Sequence, residues 1–206
     1  MSKLPKVKPG ERAVAIGGSG TGKTELIMRV LPTSGRLLVL DPKRMFDPDF
    51  LNLQIVDDPS KVGSKQRVLY RPKDSLLANI DAYDQVINRF YLKGNSTIYC
   101  DDLVGIMDRN RFPNSLRTAY MLGRSKKVTC IASVQRPANV PTFVLSEANH
   151  FFVFKLVMPQ DIKKIRDTLH DYDPDKIAEH RFSFQYNDTR FSEKSRFMRI
   201  ALGKPG

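Results

Sequence analysis

The chain is poor in everything that membranes, secretion and metal cages require. Its 206 residues hold no apolar run near the ~18 residues of a membrane-spanning helix. The longest candidate, residues 150–158, is short and carries Lys155, so it reads as a buried strand. The N-terminus, Met1-Ser-Lys-Leu-Pro-Lys-Val-Lys-Pro9, lacks the apolar core of a secretory signal, and the chain is expected to work in the compartment where it is made. There are only two cysteines. Cys100 and Cys130 sit at the ends of predicted strands and are expected to pack as small buried thiols in a reducing cytosol. The three histidines, His150, His170 and His180, have no metal-ligand spacing with each other or with the cysteines. Carboxylates are outnumbered, 22 Asp and Glu against 34 Lys and Arg, for a net charge of +12. A domain this basic usually meets a polyanion, nucleic acid by default, although a solvated basic surface is the plainer reading. The cations are spread along the chain without a polybasic tail, which favours a distributed face or channel over a flexible arm.

What is present is the make-up of a globular enzyme. The 41% apolar content excludes a disordered chain, and the length suits one α/β domain with at most a small appendage. There is no internal repeat. Arg12–Ile16 reads as a short strand, Lys23–Val30 as a helix stopped by Pro32, and Arg36–Asp41 as a second buried strand. Residues 43–66 look loop-rich. Val68–Arg71 is expected as a short strand and Asp81–Tyr91 as a helix, with Ile80, Val86, Ile87, Phe90 and Tyr91 near one face. Ser96–Cys100 is a strand, Asp108–Asn114 a polar loop, Ser115–Arg124 a helix and Val128–Ser133 a strand. Phe151–Leu156 follows as a strand and Gln160–Leu169 as a helix. The tail from Arg181 to Leu202 suggests a hairpin turning at Asn187-Asp188. This alternation implies a mostly parallel sheet with helices on both faces, whose ligands bind beyond the carboxyl ends of the strands. We expect a single domain over 1–206, with a basic lead-in (1–10), a core (11–170) and a C-terminal extension (171–206).

Three motifs fall at predicted strand ends. Gly17-Gly18-Ser19-Gly20-Thr21-Gly22-Lys23-Thr24 fits G-x-x-x-x-G-K-[ST], between a strand and a helix as the motif demands. Its glycines let backbone N–H groups wrap phosphates, and the helix N-terminus favours an anion. Lys23 would reach the β- and γ-phosphates, and the Thr24 hydroxyl would ligate Mg2+. This is a P-loop NTPase signature, and ATP hydrolysis is the expected reaction. Asp101-Asp102 ends the next acidic strand. Asp101 would hold the magnesium, and Asp102 would act as general base or water positioner, unless it only caps the turn that follows. Gln135 ends the strand from Val128 and could hold the attacking water or sense the γ-phosphate.

Together with Leu40-Asp-Pro-Lys43, Tyr99-Cys-Asp-Asp-Leu103 and Ala132-Ser-Val-Gln-Arg-Pro137, the phosphate loop resembles, in order, the motifs of the FtsK–HerA superfamily of ring-forming, DNA-pumping ATPases. The likeness spans about residues 11–170. It implies a RecA/ASCE-like fold and an arginine finger acting in trans. Arg124, eleven residues before Gln135, matches that position, with Arg117 second and Arg136 third. A helix-terminal cation in solvent is the alternative for Arg124. Asp102 departs from the pattern, since many members carry glutamate there.

The short chain most resembles the genome-packaging ATPases of tailless, membrane-containing icosahedral viruses. That implies a hexameric ring around double-stranded DNA at a capsid vertex or portal, in the host cytoplasm and the virion. Conjugation, plasmid-transfer and phage-assembly ATPases are the nearest rivals, and a small P-loop kinase is the rival of another class. For DNA contact, the loop with Arg109 and Arg111 comes first and the group Lys61, Lys65 and Arg67 second. Either could equally be solvated surface.

Overall fold

The computed structural model describes residues 4–32, 35–108, 111–177, 180, 182–191 and 195–201. Among these, nine strands form one sheet: β1 (Arg12–Ile16), β2 (Arg36–Leu40), β3 (Gln54–Val56), β4 (Arg67–Tyr70), β5 (Ser96–Cys100), β6 (Val128–Val134), β7 (His150–Phe154), β8 (Ser183–Asp188) and β9 (Arg196–Arg199). The order across the sheet is β3-β4-β2-β5-β6-β1-β7-β8-β9. The first seven of these neighbours pair in parallel, while β8 and β9 are antiparallel additions. Strands β1, β5, β6 and β7 are buried at every position, as strands covered on both faces must be.

The side-chain alternation of β1 separates two cores. Val14 and Ile16 face a layer built from α2 (Ile80–Lys93), α3 (Asn114–Leu122), α4 (Thr142–Ser146) and α5 (Pro159–Arg166). Ala13 and Ala15 face the other way, in the core that holds Leu26, Ile27 and Val30 of α1 (Lys23–Val30) together with Phe46, Phe152 and Phe184. Helices therefore cover both faces, but unequally: α1 shares its face with loop and hairpin residues. Helix α2 follows its sequence closely. Asn79 caps it by accepting the Ala82 N–H at 3.2 Å, and Gly94 (φ 62°) ends it where a Cβ would sit 2.9 Å from the Lys126 carbonyl.

Arg12 opens β1 and is only 4% exposed. Its guanidinium donates to the carbonyls of Tyr120 (2.8 Å) and Ala119 (3.1 Å) at the end of α3, and to Gly10. Among the described residues no carboxylate pairs with it. The negative end of a helix satisfies this buried cation instead.

The departures from the sequence reading have local causes. The strand β3 is missing from that reading because two of its three residues, Gln54 and Ile55, are exposed at the sheet edge. Strand β7 stops at Phe154 because Tyr172 intervenes: the Leu156 N–H donates to its hydroxyl (3.1 Å), which donates to the Phe154 carbonyl (3.3 Å). Cys130 lies inside β6 rather than at an end, and both cysteines are buried. The hairpin does not turn at Asn187-Asp188. Both residues belong to β8, Asp188 in register with His150 and the Asn187 amide donating to Asp171 at 2.9 Å, so the reversal falls between Asp188 and Arg196.

Candidate nucleotide site

The phosphate loop leaves the buried end of β1, with the Gly17 N–H donating to the Val134 carbonyl of β6 at 3.0 Å. Gly17 must be glycine, because a Cβ would lie 2.7 Å from the Phe154 Cβ. Gly22 must be too: its φ is 102° and a Cβ would run into the Phe182 ring. Gly18, Ser19 and Gly20 form the exposed crest of the loop, which Thr21 braces by donating its hydroxyl to the Gly18 carbonyl at 3.0 Å. Lys23 opens α1 and is 8% exposed, with its ammonium donating to the carbonyls of Gly17 (2.8 Å) and Gly18 (2.7 Å). Burial lowers its pKa, the charges of Asp101 and Asp102 resist, and nearby Lys43 adds to the fall.

Strand order creates the space in front of the loop. The acidic strand β5 is separated from β1 by β6, whose end carries Gln135. The Thr24 hydroxyl donates to Asp101 Oδ1 at 3.0 Å, and the Tyr99 hydroxyl donates to the same oxygen at 2.5 Å. The Tyr99 and Ser133 hydroxyls are 2.8 Å apart, tying the ends of β5 and β6 together. Burial raises the pKa of Asp101, with the charges of Asp41 and Asp102 adding to it and the hydrogen bonds from Tyr99 and Thr24 opposing it. Thr24 and Asp101 thus present adjacent hard oxygen donors at the start of a helix, a donor set that fits Mg2+ completed by water and phosphate oxygens. Asp102 adopts φ 79° and ψ 86°, an unusual conformation for a residue with a side chain, and pairs with Lys43.

Lys23, Thr24, Asp101, Asp102 and Gln135 all line one cleft of about 810 Å³. Met28, Met45, Phe50 and Phe182 line the same cleft, and none of them carried a motif in the sequence. Lys43 was visible only as the end of Leu40-Asp-Pro-Lys43. Its approach to Asp102 joins positions 59 residues apart, which no local pattern reveals.

The arginines divide. Arg124 is exposed in the turn after α3, at the rim where β6 begins, and does not line its own cleft. Arg117 is exposed on α3 beside Asp81 and Asp84. Arg136 is committed within its own chain, since its Nε donates to buried Asp161 at 2.6 Å. Of the residues expected to meet DNA, Arg109 lies outside the described residues. Arg111 is exposed. Lys61 pairs with Asp57 at 2.8 Å, and the Arg67 guanidinium donates to the Leu51 carbonyl at 2.8 and 3.1 Å, which leaves Lys65 as the exposed cation of that group not engaged in this way.

No family model matches the sequence, and no curated protein matches it. Solved structures do. The genome-packaging NTPase B204 of Sulfolobus turreted icosahedral virus 2, in complex with ATP-γ-S, superposes with a TM-score of 0.77 at 17% identity, covering 95% of this chain and 100% of that one. The fold is that of a P-loop NTPase. The pCW3 conjugation coupling protein TcpA follows with a TM-score of 0.61 and 13% identity over 92% of this chain and 60% of its own. The cytoplasmic domain of the Thermomonospora curvata type VII secretion ATPase EccC gives 0.62 and 12%, over 96% and 24%. The P-loop fold is thus shared with one neighbour over that neighbour's whole chain and with parts of longer ones. No helix of the described residues is long and apolar enough to cross a membrane.

Proposed function

We propose that the chain is an ATP-driven double-stranded DNA translocase, a genome-packaging motor working at a capsid vertex from the cytoplasm of an infected cell. The observation that carries the reading is the convergence of the phosphate loop, Asp101-Asp102 and Gln135 on one cleft, in a fold that matches a viral packaging NTPase along its whole length.

In this reading the loop N–H groups and Lys23 bind the triphosphate, and Thr24 and Asp101 hold Mg2+. The metal when bound neutralises phosphate charge. Asp102 accepts a proton from, or orients, the attacking water, and Gln135 hydrogen-bonds the water or the γ-phosphate. Arg124 is too far round the molecule to serve its own cleft, so it would serve the next subunit's, and the site is complete only in a ring, which we take to be a hexamer. A guanidinium entering there stabilises charge that develops in the transition state. Exposed cations such as Arg111 and Lys65 would grip the DNA backbone, which needs no base reading.

Steady-state ATP hydrolysis with and without long double-stranded DNA tests this reading, alongside Lys23→Ala and Arg124→Ala. DNA stimulation that both variants lose supports the motor. Hydrolysis indifferent to DNA, with Arg124→Ala fully active, defeats the translocase reading and leaves a P-loop NTPase of another purpose.

A further inference from the structure

One cation in the cleft has no part in the chemistry above. Lys43 sits on the turn after β2 and sends its ammonium to Asp102 Oδ2 at the end of β5. The turn that delivers it is anchored. Asp41 is wholly buried, and its carboxylate accepts the N–H groups of Met45 (3.1 Å) and Phe46 (3.0 Å) and the Arg71 Nε (2.8 Å). Pro42 packs so closely on Gly105 that a Cβ there would sit 2.7 Å from the Pro42 Cγ. The Lys43 backbone is therefore fixed against the turn that follows Asp102, and only its side chain is free to move.

The position is selective. In the order β2-β5-β6-β1, Lys43 stands three strands from the phosphate loop, roughly 14 Å at the usual strand spacing. A polyphosphate seated at α1 offers only its distal end to a side chain reaching back from there. Lys43 also lies near enough to Lys23 for the two charges to repel. Two ammoniums and two carboxylates thus converge on the cleft floor, and an added anion would relieve that repulsion. The Lys43 side chain is 44% exposed, so its pairing with Asp102 is of the weak, exchangeable kind.

We propose that Lys43 is a γ-phosphate-responsive switch on Asp102: its ammonium holds the carboxylate until a terminal phosphate competes for it, then moves to the phosphate and frees Asp102 to orient water. The inference rests on reading the cleft as a nucleoside-triphosphate site. It makes Asp102 and the γ-phosphate rivals for one cation.

The test compares binding of Mg2+-ADP and of the slowly hydrolysed Mg2+-ATP-γ-S by fluorescence titration. The proteins are wild type, Lys43→Met, Asp102→Asn and the double variant, with Lys43→Arg as the charge-conserving control. Lys43→Met is expected to weaken ATP-γ-S on the order of tenfold, the loss of one charge-assisted hydrogen bond, while ADP changes less than about twofold. Asp102→Asn, by removing the rival, is expected to tighten ATP-γ-S several-fold only while Lys43 is present. Equal effects on both nucleotides, or tightening by Asp102→Asn that persists in the double variant, overturn the switch and leave the nucleotide site standing. A wild-type protein that binds neither nucleotide overturns both.

Discussion

The two rims of the central sheet each bury a cation, Lys23 at one and Arg12 at the other, in different company. At the carboxyl rim, backbone and charge are held in costly states: Gly22 and Asp102 at positive φ, Lys23 buried, and Asp101 pushed toward its neutral form by burial. The amino rim also turns through positive φ, at Asn95 and Lys127, and leaves the buried Arg36 Nε without a hydrogen-bond partner, but its most buried cation is well met. Arg12 is met by three carbonyls, and Arg124, Lys126 and Lys127 stand in solvent. The contrast lies in the charges: an ammonium and carboxylates crowd together in the cleft at one rim, while backbone carbonyls meet the buried cation at the other.

The difference can be broken most sharply at Lys23. Lys23→Ala should reduce kcat by about 10³ or more and lower triphosphate affinity, measured by phosphate release and nucleotide titration. Arg124→Ala should cost about 10² in kcat while leaving nucleotide binding and Tm unchanged, which a single experiment on assembled protein can separate. Loss of nucleotide binding in that variant would show that the two rims are not independent. Arg12→Leu should act on the fold, costing about 2–4 kcal/mol by chemical denaturation, because three carbonyls lose their donor together.

A smaller effect is expected from acid. Burial alone would raise the pKa of Glu11, but hydrogen bonds from His150 and the Lys8 N–H, with the charges of His150 and Arg190, hold it below the ordinary value. At Asp188 burial likewise pushes upward, but hydrogen bonds from Arg190 and the charges of His150 and Arg190 outweigh it and lower the value. Depressed carboxyl values mean that their stabilisation is present above the unfolded value near 4 and disappears as the pH falls through the lower folded values. Denaturation midpoints should therefore drop between about pH 4 and pH 2, and less steeply in Glu11→Gln. The least effect should come from thiol reagents. Burial pushes Cys130 up to about 12 and Cys100 higher still, so neither should react with an aromatic disulfide until the protein is unfolded.

The sequence was most informative where function requires a local pattern. The phosphate loop is eight consecutive residues whose spacing and flanks are dictated by one anion, and the strands β1, β5 and β6 are short runs of apolar and small or β-branched residues that lead into the residues lining the cleft. It was least informative where function or fold depends on distant positions. The Lys43–Asp102 pair, the clasp of Tyr99 and Ser133, and the Phe182 ring against Gly22 each join segments that only the strand order brings together. The short edge strand β3 lacks an apolar period, and Asn187-Asp188 looks like a turn because the partners that keep it extended, His150 and Asp171, are far away in the chain. Basic composition indicated a polyanion partner but could not say which cations are already spoken for, as Arg136 and Arg67 are.

Strand β1 is five residues long, roughly 17 Å, with the phosphate loop at one end and Arg12 gripping the base of the Arg124 turn at the other. It is buried at every position and flanked on both sides by parallel neighbours. In a closed ring, whatever sits in one pocket would be mechanically continuous, through a single short rod, with the residue lent to the pocket next door. If the ring proposed above forms, turn-taking around it would need no dedicated messenger: the strand itself would be the timing device.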